Sequence, residues 1–142
     1  MPGIDPIEEA ALRYLARRTR TEAQLRTYLE RAGASSAQVR RVLRRCRDLG
    51  YVNDSEYARR WARNRLARYP IGRERLEGEL AAQGVGERTI ADVVRDLYDE
   101  VTERELAERL LKKKPLTPGQ LKRRGFSDET IRAVLKREFD QD

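Results

Sequence analysis

Of the side chains that usually perform catalysis near neutral pH, this chain has no histidine and a single cysteine, Cys46. The missing imidazole removes the commonest general base and the commonest metal ligand. A lone thiol cannot close an intramolecular disulfide, so a reducing, cytoplasmic setting is expected. The 24 carboxylates stand among arginines at helical spacing, as on a solvated surface, and not as a converging pair. The glycines of "YPIGRERLEGEL" lack nucleotide-loop spacing, and there is no GxSxG. No catalytic residue, metal ligand or cofactor site is therefore assigned, and the reading is a binding protein and not an enzyme.

The chemistry that remains is cationic. The net charge is +7, distributed as +5 over residues 1–50 (11 basic, 6 acidic), −1 over 51–100 (9 and 10) and +3 over 101–142 (11 and 8). The two ends are thus more basic than the middle, which favours polyanions such as nucleic acid and also serves solubility. Five arginines, Arg40, Arg41, Arg44, Arg45 and Arg47, fall on one predicted helix. Arg40, Arg44 and Arg47 lie along one flank, Arg41 and Arg45 toward the other, around an apolar stripe of Val39, Val42, Leu43, Cys46 and Leu49. Lys112, Lys113 and Lys114, with Lys122, Arg123 and Arg124, flank a turn at Pro115. Lysines at a helix end also complement its dipole. Arg59, Arg60, Arg63 and Arg68 have acids nearby and are read as solubilising. Tyr51, beside Gly50, is an open aromatic suited to a contact surface. Tyr57 and Trp61, four apart, are read as core that joins the first unit to the second. Cys46 on its stripe is a buried, inert thiol. The Asn53 sequon is read as a helix cap.

What positions these groups is a series of helices. Asp5 followed by Pro6 is a cap with proline at the first helical position. "TEAQ" from Thr21, "SSAQ" from Ser35, "TERE" from Thr102 and "TPGQ" from Thr117 carry the capping-box pattern. Asn53 or Asp54 caps the helix that follows. Gly33, Gly50, Gly84 and Gly125 end helices, and Pro70 stops another. Nothing between Glu87 and Lys114 is Gly or Pro, so the break is placed at Thr102, with one continuous bent helix as the alternative. No apolar run approaches the about 18 residues of a membrane span, and none near Met1 resembles a secretory signal.

These helices repeat. A shift of 51 carries Leu25, Leu29, Gly33, Val39, Val42 and Leu43 onto Leu76, Leu80, Gly84, Ile90, Val93 and Val94. A further 41 carries Leu80, Gly84, Val85, Ile90, Val93 and Val94 onto Leu121, Gly125, Phe126, Ile131, Val134 and Leu135. Eight residues separate Leu25 from Gly33 but only four separate Leu121 from Gly125, so the third middle helix is shorter by about one turn. The expectation is an all-α fold of three tandem three-helix repeats, 1–52, 53–100 and 101–142. Units this small bury little alone and stack on their neighbours into an elongated, curved array. A compact nine-helix globule is the alternative.

The segments "LGYVNDSEYARRWARNR" from Leu49, "PIGRERLEGELAAQGV" from Pro70 and "RRGFSDETIRAVL" from Arg123, in that order, resemble the RecX family of regulatory proteins. The resemblance implies three three-helix repeats and no catalytic centre. It implies a partner, the filament of the recombinase RecA on single-stranded DNA, in whose helical groove the protein lodges. It further implies restraint of filament extension, ATP hydrolysis and strand exchange, and a place in recombination, DNA repair and the SOS response. A cytoplasmic monomer with no membrane contact is expected. The segment before Pro6 is short, so a function housed in a longer N-terminal extension is not expected here. Arg40, Arg41, Arg44, Arg45, Arg47, Tyr51, Lys112, Lys113, Lys114, Lys122, Arg123 and Arg124 are the candidate contacts to recombinase or DNA. A free-standing DNA-binding regulator that uses one three-helix unit is the alternative, since the third helix of such a unit can imitate a recognition helix. A scaffold without nucleic-acid contact is the remaining one.

Overall fold

The local signals become helices where the caps fall. The computed structural model describes residues 5–139. It contains α1 (Pro6–Arg17), α2 (Glu22–Arg31), α3 (Ser36–Asp48), α4 (Asp54–Arg68), α5 (Arg73–Ala82), α6 (Glu87–Glu100), α7 (Glu103–Lys113), α8 (Pro118–Arg123) and α9 (Asp128–Phe139), with no strand among the described residues. None of these helices is long and apolar enough to cross a membrane. The boxes at Thr21/Gln24, Ser35/Gln38 and Thr117/Gln120 are closed in both directions. At Thr102 only half of the expected box forms. The threonine accepts from the Glu105 N–H at 3.1 Å, which suffices to separate α6 from α7. The shortened helix is α8, with six residues against ten in α2 and α5.

The principal helix contacts run within the triples α1–α3, α4–α6 and α7–α9. Apolar burial follows a different division. Ala11, Leu25, Leu29, Val39, Val42, Leu43, Cys46 and Val52 form one core. Residues from α4 through α9, among them Leu80, Val93, Tyr98, Leu106 and Phe126, form a single second core. Among the described residues only the second and third repeats therefore share apolar faces, whereas mutual sheltering is the expectation throughout. The rings of Tyr57 and Trp61 pack against that second core and not the first, and the Tyr57 hydroxyl reaches Gln83 at the joint between the first two repeats. The buried Tyr98 hydroxyl donates to the Ile71 carbonyl at 2.9 Å and locks α6 to the turn before α5.

The joint between the first and second repeats is polar instead. The fully buried Thr21 hydroxyl donates to the Gln83 carbonyl at 2.9 Å. Gln24 Nε2 and the Tyr57 hydroxyl both donate to Gln83 Oε1, at 3.3 and 3.1 Å. Asn53, and not Asp54, caps α4. Asp54 accepts from the Glu22 N–H at 2.9 Å and so completes the N-terminus of α2, one repeat away. The second joint has the same design. Gly72 N–H donates to the Arg124 carbonyl at 2.8 Å, and Glu103 accepts from Arg73 N–H at 3.1 Å and Ser127 N–H at 2.6 Å. In both joints the first helical residue of one repeat is an acid that satisfies an orphan N–H of the previous repeat's middle helix.

The repeat glycines serve these joints as well as ending helices. Gly33, Gly84 and Gly125 all have φ near +92°. A Cβ on Gly84 would lie 2.6 Å from Ala23 Cβ, and one on Gly125 would collide with the Arg75 backbone. One on Gly33 would meet nothing within 4 Å among the described residues.

Candidate binding surface

Helix α3 turns its apolar stripe inward, with Val39, Val42, Leu43 and Cys46 buried, and this geometry forces its arginines outward. Leu49 departs from the expected stripe. It is the C-cap residue, beyond the last helical turn, and is 50% exposed. The five arginines divide into two kinds. Arg41 pairs with Asp5, Arg45 with Glu8, and Arg47 Nε donates to Glu22 Oε1 at 2.7 Å. These three hold α3 to α1 and to the start of α2. Arg40 and Arg44 are exposed and have no ion pair or hydrogen bond among the described residues. Cys46 is buried on the inward stripe with Val39, Val42 and Leu43. Burial raises its thiol pKa, Glu8 adds to the rise, and Arg45 opposes it.

The basic residues around Pro115 divide similarly. Lys112, Lys113 and Lys114 end α7 exposed and without a described ion pair, as does Arg123 on α8. Lys122 donates to Asp128 Oδ1 at 2.9 Å, and that bond raises the lysine pKa and lowers the aspartate's. Arg124 is half-buried, with its guanidinium 4.5 Å above the Tyr69 ring and its carbonyl in the second joint. The principal packing of α7 and of α8 is against α9, not against each other.

In the second repeat Arg59 pairs with Asp96 and Arg63 with Glu100. Arg60 and Arg68 have no such pair among the described residues, so only half of that group is balanced as expected. Arg60 stands with Tyr51, Thr19, Asn53 and Glu56 around a cleft of about 180 Å³. Tyr51 is 51% exposed. Arg60 was not legible as part of this surface, because its place beside Tyr51 depends on the direction α4 takes from the turn after α3.

The first three-helix domain of RecX matches residues 9–46, and the second matches 53–94. The regulatory protein RecX of Mycobacterium leprae is 33% identical over 97% of this chain and 91% of its own. That of Syntrophotalea carbinolica is 36% identical over 74% of this chain and 69% of its own. The crystal structure of RecX from Lactobacillus salivarius superposes with a TM-score of 0.84 at 21% identity, covering 96% of each chain, so the fold is shared well beyond sequence similarity. With both domains in order and a relative aligned almost end to end, the chain belongs to the RecX family of regulatory proteins.

Proposed function

We propose that the protein binds the filament of RecA on single-stranded DNA, along its helical groove, and inhibits filament extension, ATP hydrolysis and strand exchange without hydrolysing nucleotide itself. The observation that carries this reading is the family membership, supported by where the uncommitted charge lies. Arg40 and Arg44 in the first repeat, and Lys112–Lys114 and Arg123 in the third, have no acid of their own among the described residues. A tandem array with cations free at both ends can follow a long groove and meet acidic protein or phosphate at separated points, which a sphere cannot. Such contacts weaken with salt. Single-stranded DNA is met directly or through the filament, and a monomer is sufficient.

The test is a titration into a recombinase–single-strand ATPase assay at low salt. ATP hydrolysis falls as the protein approaches stoichiometry with the filament, and an unchanged rate at stoichiometric protein defeats the reading. The alternative, a free-standing DNA-binding regulator, draws on the two uncommitted arginines of a third helix. Tight binding to a specific duplex without recombinase would decide for it.

A further inference from the structure

Three large apolar side chains are exposed among the described residues: Leu49, Tyr51 and Tyr69. Tyr69 is already covered by the guanidinium groups of Arg65 and Arg124, 5.5 and 4.5 Å from its ring centre. Leu49 and Tyr51 have no such cover, and they stand on either side of Gly50.

The turn that presents them is fixed. Gly50 N–H donates to the Arg47 carbonyl at 3.0 Å and Tyr51 N–H to the Cys46 carbonyl at 2.8 Å, the paired bonds of a Schellman cap. Gly50 has φ +77°, and Val52 just beyond is buried. The same paired bonds close α2, α5 and α8. In that motif the residue after the glycine ordinarily packs back on its helix. Val85 and Phe126 do so and are buried, and Ala34 is half-buried. Tyr51 alone of the four is held out in solvent.

The surroundings indicate what would cover it. Leu49 edges a groove of about 400 Å³ between α1 and α3, where Arg44 is unpaired. Tyr51 edges the smaller cleft with unpaired Arg60. An apolar centre with a rim of arginine is the composition of a protein-binding hot spot. A leucine offers nothing to phosphate, and Asp48 and Glu56 beside the turn would repel a continuous phosphate backbone. Resting on the reading above, we propose that the Leu49–Tyr51 turn docks onto the protein component of the filament, against an apolar anchor flanked by single carboxylates that meet Arg44 and Arg60 and stand clear of Asp48 and Glu56. The DNA strand is not its ligand.

The experiment measures binding of the full chain to the recombinase–single-strand filament and to naked single strand, across a range of salt. Leu49→Ser combined with Tyr51→Ser is compared with wild type and with Tyr51→Phe, and melting curves check the fold. The double variant is expected to lose about tenfold or more in filament affinity, the scale of hot-spot truncation, most clearly at high salt. Naked-strand binding and melting stay as in wild type, and Tyr51→Phe retains filament binding. Unchanged filament affinity in the double variant overturns the proposal, and so does an equal loss on naked strand, which assigns the turn to nucleic acid. Failure of wild type itself to bind the filament is a separate outcome. It removes the functional reading, and the docking assignment with it.

Discussion

At Asp54 a single carboxylate works against its own burial. It caps Glu22 N–H across the first joint, yet the loss of solvent there raises its pKa above the usual 3.8, with the hydrogen bond from Glu22 N–H opposing and the Glu22 charge adding to the rise. A raised carboxylate pKa means the folded state holds its proton more tightly than the unfolded chain. Its contribution to stability is therefore greatest below the unfolded value and declines as pH rises through the folded one. Asp54→Asn keeps the acceptor and removes the charge, so it should be neutral or slightly stabilising at pH 7, and that advantage should vanish near pH 3. Asp54→Ala loses the acceptor and should cost about 1 kcal/mol. Thermal melts of both variants at the two pH values check the pair. On α3, Arg40→Glu with Arg44→Glu should leave melting unchanged, because neither residue has a partner to lose among the described residues. Arg41→Glu with Arg45→Glu places like charges beside Asp5 and Glu8 and should destabilise by up to about 1 kcal/mol per site.

Among the elements, the repeat glycines separate backbone strain from contact. Gly33, Gly84 and Gly125 share one backbone conformation but meet different neighbours. Gly33→Ala should cost only the left-handed penalty of about 1–2 kcal/mol. Gly84→Ala adds a collision with Ala23, a further 1–3 kcal/mol or so, as overpacking does. Gly125→Ala meets Arg75 backbone that cannot rotate away, and should be the most destabilising of the three. Denaturant unfolding of the set gives this order, and equal losses would show that the joints are looser than described. The acid at the first position of α4 and of α7 belongs to the same scale, since each helix completes a neighbour's terminus as it begins its own.

For the whole molecule, the two apolar cores predict two levels of stability. Among the described residues, the first repeat holds a core of eight buried residues and meets the rest through polar contacts, whereas twenty buried residues tie the second and third together. Native-state hydrogen exchange should show α1–α3 opening at lower free energy than α4–α9. Leu25→Ala, expected to cost 2–5 kcal/mol or so, should lower protection in α1–α3 while leaving the second core nearly unaffected. Uniform loss across α1–α9 would contradict the division. On the function proposed above, reversing charge at Arg40/Arg44 and at Lys113/Arg123 should each reduce inhibition of the filament ATPase and flatten its salt dependence, and reversing both should reduce it further.

The sequence by itself determined the helices, their caps, the threefold rhythm and the short α8, because hydrogen bonds within four residues and a 3.6-residue stripe are local quantities. It also made the family recognisable. Tertiary structure alone decided which arginines remain available. Arg40 and Arg41 are neighbours of one type, and only the packing of α1 against α3 brings Asp5 to the second and nothing to the first. The same holds for Tyr51 and Phe126, which follow glycines in equivalent caps. One is left in solvent and the other fully buried, because what lies across each turn is a residue distant in the chain.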